Sequence, residues 1–135
     1  MNNPITIAID AMGGDNSPNK VIEGTSLHSK SSNNIKYKIF GNLDKIKPLI
    51  KKYNLSHDKV DLIHTEKLVE GEDSALAAAK RGKDTSLWLA LESLKKDETD
   101  AMVSAGNTGA LFLISKLNLQ MIENIDKPAL SALWP

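Results

Sequence analysis

Short apolar runs rich in β-branched residues alternate along this chain with longer segments whose apolar positions recur at helical spacing. Ile5–Ala11 (ITIAIDA) reads as a buried parallel strand, followed by a loop with paired glycines, Met12-Gly13-Gly14-Asp15-Asn16. Ser17 then stands as an N-cap, with Pro18 at the first position of a helix running to about Lys30. Tyr37–Gly41 is a second strand, and Asn42 caps a helix through roughly Tyr53 that Pro48 should kink or delay. Val60–His64 is a third strand. Beyond the polar loop Glu70-Gly71-Glu72-Asp73 comes an Ala-rich helix, Ser74–Arg81. Asp84 is placed to cap the next helix, where Leu87, Leu91 and Leu94 recur at helical spacing with Trp88 beside them. Ala101–Ala105 is a fourth strand, Thr108–Leu119 a helix, and Ala129–Leu133 a fifth strand.

Alternation of this kind predicts one α/β domain over residues 1–135, a three-layer Rossmann-like fold whose mostly parallel sheet carries helices on both faces. Ligands of such sheets bind beyond the carboxyl ends of strands. The loops after Ala11 and after Ala105 both lie there.

Composition sharpens this picture at a few points. With 135 residues and 41% hydrophobic content the chain can bury a core, which 4% aromatics leave to Ile, Leu, Val, Ala and Met. Lys+Arg and Asp+Glu both number 17, so no basic footprint points to nucleic acid. The absence of cysteine excludes disulfides, a thiolate nucleophile and Cys-ligated zinc, and fits a cytoplasmic protein. Met1-Asn2-Asn3-Pro4 lacks the basic and apolar regions of a signal peptide, and the apolar stretches Trp88–Leu91 and Ala110–Ile114 are too short to span a bilayer. The expectation is a soluble protein.

Candidate chemistry centres on Ser104-Ala105-Gly106-Asn107-Thr108-Gly109-Ala110. Glycines flank Asn107-Thr108 where a strand turns into a helix, so backbone can approach a ligand closely. The unpaired N–H groups and partial positive charge of a helix N-terminus attract an anion, and Ser104, Asn107 and Thr108 add side-chain donors. Gly109 in the first turn makes sense if a ligand or a neighbouring loop must come close. The alternative is a glycine-rich turn with Asn107 as an ordinary N-cap.

The loop Asp10-Ala11-Met12-Gly13-Gly14-Asp15 pairs its glycines with two carboxylates that would repel phosphate unless otherwise employed. Asp15 can cap the following turn, and Asp10 can orient loop N–H groups or a basic side chain. The alternative is a metal or proton-transfer site. Lys80-Arg81-Gly82-Lys83 forms a basic cluster at a helix C-terminus, either a solvated face or a contact for phosphate or an acidic partner. His28, His57 and His64 show no spacing that suggests a metal site or a dyad.

Together these segments resemble the bacterial phosphate acyltransferases of the PlsX type. The resemblance rests on Ile7-Ala8-Ile9-Asp10-Ala11-Met12-Gly13-Gly14-Asp15 with Pro18, on Ser104 to Leu111, and on Lys127-Pro128-Ala129-Leu130. It implies transfer of a fatty acyl group from acyl carrier protein to orthophosphate, giving acyl phosphate for phospholipid synthesis. It also implies a homodimer, peripheral membrane association, and a fold related to isocitrate and isopropylmalate dehydrogenases. No cofactor or metal is implied, because phosphate itself attacks the thioester. The enzyme works by positioning phosphate and stabilising an oxyanion. On this resemblance Gly106, Asn107, Thr108 and Gly109, with Ser104, hold phosphate or acyl phosphate, with Asn107 as the catalytic candidate. Gly13 and Gly14 form the opposite wall, held by Asp10 and Asp15. Lys80, Arg81 and Lys83 meet the acidic carrier.

The sequence departs from the family around Ala75–Leu87, where a Pro, an Arg and Ser-Ser-Met are common and this chain has Ala75, Lys80 and Thr85-Ser86-Leu87. Lysine keeps the charge of arginine but not its bidentate fork. Family members are also more than twice as long, so part of the site is expected from elsewhere. A second reading is a non-catalytic fragment that binds phosphate or serves assembly. A third, a dehydrogenase or nucleotide enzyme, lacks both the dinucleotide and P-loop glycine patterns.

Overall fold

The computed structural model describes residues 3–134. Four strands, β1 (Ile5–Asp10), β2 (Ile35–Gly41), β3 (Val60–His64) and β4 (Ala101–Ser104), form one sheet in the order β3-β2-β1-β4. Every pairing is parallel. Five α-helices accompany them: α1 (Asn19–Ser31), α2 (Leu43–Lys52), α3 (Ala75–Lys80), α4 (Ser86–Lys95) and α5 (Thr108–Asn118).

The period-two alternation of strand side chains sorts the core into layers. Ile9 and Ala11 share one face with Tyr37 and Ile39, packed against Ile22 of α1 and Ile46 and Ile50 of α2. On the opposite face Ala8 and Phe40 meet Ala90 of α4. Leu87 and Leu91 carry that layer outward to Ala78 of α3 and to Ala110 and Ile114 of α5. Helices therefore cover both faces, as the alternation predicts. β4 is different. It pairs with β1 alone among the described residues, and Val103, pointing to the α1 face, is 53% exposed. An apolar groove of about 410 Å³ runs there between α1 and β4.

Local chemistry departs from expectation in three places. The N-cap of α1 is Pro18, because the Ser17 hydroxyl donates to the Gly13 carbonyl instead of capping. The cap of α4 is Thr85, whose Oγ1 accepts from Trp88 N at 3.3 Å, while Asp84 pairs with Lys67. Helix α2 starts directly after Asn42, which accepts from Asp44 N and Lys45 N, and runs through Pro48. Pro48 is exposed, so the partner its missing N–H leaves free four residues back can face water.

The fifth strand expected over Ala129–Leu133 is absent: these residues are exposed and carry no regular structure. Apolar content alone does not make a strand, and this segment pairs with none of the four described strands.

Ile39 is fully buried at the centre of the sheet. We expect Ile39→Ala to lower unfolding free energy by about 2–5 kcal/mol. Val103→Thr at the uncovered edge should change it by less than about 0.5 kcal/mol. Urea denaturation of the two variants checks this ordering.

Candidate active site

Strand register brings the two glycine loops together. β1 and β4 are neighbours, and Asp10 stands directly opposite Ser104, so both loops leave the sheet side by side at its carboxyl edge. Asp10 is 3% exposed, and a carboxylate so deep requires donors. Oδ1 accepts from the Ser86 hydroxyl at 2.6 Å and from Met12 N at 3.3 Å. Oδ2 accepts from the Ser104 hydroxyl at 2.8 Å, and Ser104 Oγ accepts in turn from Gly106 N at 3.2 Å. The Ser104 proton is thereby committed to Asp10. Asp10 orients loop N–H groups and lies beneath the cleft.

The glycines fit this contact for steric reasons. A Cβ on Gly13 would stand 2.6 Å from Asp10 Oδ2 and 3.1 Å from Gly106 Cα. Gly14 has φ +93° and would place a Cβ 2.4 Å from the Ala105 carbonyl oxygen. The two loops touch backbone to backbone, so the paired motifs form one structure. At Gly109 no backbone crowds in: an added Cβ would meet Asn107 Oδ1 at 3.4 Å and Ala75 Cβ at 3.7 Å, both ordinary contacts.

Asn107 is an N-cap with further duties. Its Oδ1 accepts from Ala110 N at 2.9 Å, while Nδ2 donates to the carbonyls of Gly71 at 2.9 Å and Asp73 at 2.8 Å. The turn Glu70–Asp73 is thus pinned against the start of α5. Asp73 Oδ2 also accepts from Glu70 N at 2.9 Å, and Oδ1 from Arg81 Nη2 at 2.8 Å. The Arg81 guanidinium and these hydrogen bonds hold the Asp73 carboxyl below its ordinary range.

A cleft of about 600 Å³ opens between these loops. Gly14 and Asp15 line one side, Leu68 to Gly71 another, and Ala105 to Gly109 the head of α5. Asn107 takes the Ala110 N–H, and the helical ladder offers the N–H groups of Thr108 and Gly109 no acceptor. Those two donors, with the exposed Thr108 side chain and the helix dipole, give the cleft its anion-attracting wall. Asp15 and Glu70 are its only charged lining residues among those described.

Gly14, Asp15, Gly106, Asn107, Thr108 and Gly109 therefore meet at one cleft, with Asp10 and Gly13 buried and Ser104 half-buried beneath or beside it. Asp15 is exposed and makes no capping bond to α1. Lys80, Arg81 and Lys83 do not line the cleft; Arg81 braces its wall from behind through Asp73. Sequence reading missed Ser86 and Leu68–Val69. Only Ser86 left a signal, as a hydroxyl beside a capping threonine at a helix start. His28 bonds the Tyr37 hydroxyl through Nδ1 at 2.8 Å, and His64 Nδ1 accepts from Leu43 N at 3.2 Å, so both are structural.

Asn107→Ala removes one cap and two pins. We expect a loss of about 2 kcal/mol, seen as a Tm lowered by roughly 5–10 °C in thermal unfolding. The Asp73–Arg81 pair has a lowered folded pKa, so its contribution is complete above the ordinary aspartate value of 3.8 and is lost as pH falls through the lower folded value. The Glu70 amide resonance should accordingly titrate with a midpoint below 3.8. A midpoint at or above that value would contradict the pairing.

Comparison with known proteins identifies the family. The family described as fatty acid synthesis protein matches residues 5–135. A phosphate acyltransferase of Pelagibacter ubique is 58% identical over the whole chain, which covers 40% of that protein. Those of Parvibaculum lavamentivorans and Rhodospirillum rubrum are 43% and 37% identical, again over the whole chain and over 38% and 39% of the relatives. The chain spans about two-fifths of the length of these relatives. It belongs to the fatty acid synthesis protein family, that of the PlsX-type phosphate acyltransferases.

Proposed function

We propose that this chain forms the phosphate-holding part of an acyltransferase that moves a fatty acyl group from acyl carrier protein to orthophosphate. The observation that carries the reading is the pair of free N–H groups of Thr108 and Gly109 opening into a cleft. A phosphate oxygen attacks the thioester carbonyl, a C–O bond forms, the C–S bond breaks, and the carrier's sulfur leaves as thiolate and takes up a proton. Acyl phosphate is the product, and no enzyme nucleophile is required. The backbone of Gly106–Gly109 positions phosphate with the Thr108 hydroxyl. Asn107 acts by fixing the helix start and the facing turn, since its amide is already engaged. Gly13 and Gly14 form the second wall, and Asp10 and Ser104 hold both loops.

Asp15 and Glu70 oppose an anion at short range. The balancing cation is assigned to further polypeptide of the family-length protein, which we place against the free edge of β4 and the groove beside α1. Exposed Lys80 and Lys83 are the positions we assign to the acidic carrier, Arg81 being engaged with Asp73. On the same reading the family-length protein is a cytoplasmic homodimer that touches the membrane peripherally. No helix among the described residues is long and apolar enough to cross a membrane.

The test is complementation. The chain is mixed with long-chain acyl carrier protein and orthophosphate, alone and with a co-expressed polypeptide covering the unmatched part of the Pelagibacter ubique enzyme. Acyl phosphate is trapped as the hydroxamate. Product in the second mixture is expected; none in either would sink the catalytic reading and favour a non-catalytic phosphate-binding module.

A further inference from the structure

We propose that Ser86 is a positioning residue that sets the separation between the two walls of the cleft. The inference deepens the phosphate-site reading and rests on it. Ser86 opens α4, is 1% exposed, and touches no part of the cleft surface. Its backbone N–H donates to the Lys67 carbonyl at 3.0 Å. Lys67 immediately precedes Leu68, where the outer wall begins. The Ser86 hydroxyl donates to Asp10 Oδ1 at 2.6 Å. From Asp10 the connection runs through the Ser104 hydroxyl to the Gly106 N–H, in the inner wall. One residue thus grips both walls from beneath.

The two grips differ in redundancy. The Ser86 N–H bond is part of a parallel bridge between Lys67 and Thr85, and the Thr65 hydroxyl separately holds the same segment to the Asp84 carbonyl just before α4. Among the described residues, Asp10 receives a hydrogen bond from α4 through Ser86 alone. Loss of that hydroxyl leaves the outer wall anchored and removes the polar link from α4 to the Asp10 network beneath the inner one. Asp10 then has one donor fewer where little water reaches it, and its carboxylate turns to recover one. Turning moves the Ser104 oxygen on which the Gly106 amide rests. The donors of α5 follow, and a shift of that kind in a supporting shell loosens a binding site without unfolding it.

Ser86→Ala removes the hydroxyl and keeps the N–H to Lys67. The ¹⁵N–¹H spectrum of the ligand-free chain should show the Gly106 and Met12 amides displaced in Ser86→Ala and returned by Ser86→Thr. Orthophosphate titration should give a dissociation constant raised about three- to ten-fold in the alanine variant and restored by threonine. Should Ser86→Ala not fold, Ser86→Cys, a weaker donor of similar size, is read the same way. An unmoved Gly106 amide overturns the proposal, as does unchanged phosphate affinity when the amide has moved. Displaced amides in a chain that binds no orthophosphate even as wild type would support the coupling and sink the phosphate reading.

Discussion

Beneath the cleft a single carboxylate holds three hydrogen bonds in a site with almost no access to water. Asp10 takes donors from its own loop, from α4 and from β4, which are distant in sequence. Burying an ionised group is costly unless it is met by donors, so the carboxylate ties these three elements to one another. Everything in the cleft depends on this arrangement. It brings the Gly13-Gly14 backbone against Ala105-Gly106, and it commits the Ser104 proton inward so that Gly106 N–H is held from below.

The consequence for chemistry is a division of labour among polar groups that look interchangeable in sequence. Ser104, Asn107 and Thr108 stand within five residues of one another, and all carry donors. Ser104 is consumed by the buried network, and Asn107 by a cap and two carbonyls. Thr108 remains, together with two backbone amides. On the proposed reading, an anion held chiefly by backbone donors suits a reaction in which the ligand is itself the nucleophile, because rigid dipoles need no reorganisation as charge develops. The carboxylates of Asp15 and Glu70 act against such a ligand. That opposition is consistent with a chain spanning two-fifths of its relatives' length.

Much of this was legible along the chain. Strand-rich runs and helical periodicity placed all four strands and five helices within a residue or two, because burial on one face imposes a period that the sequence must obey. The two glycine motifs were legible as backbone features for the same reason: only glycine admits the contacts they make. Errors fell where local signals compete. Asp84 and Thr85 are both good caps, and only the Lys67 ammonium decides that Asp84 turns outward. Ser17 has the chemistry of a cap but spends its hydroxyl on Gly13. The Ala129–Leu133 run has strand-like content, yet a strand exists only where the segment docks on another, and this one pairs with none of those described.

The sequence by itself determined the layers, the loops that carry chemistry and the family, since periodicity, glycine and motif spacing are properties of neighbouring residues. Tertiary structure alone decided that Asp10 lies under the site, that Asn107 reaches 36 residues back to Gly71, and that Ser86 joins both walls. Those contacts arise from parallel strand register and helix packing, which set distances between residues that no local pattern relates.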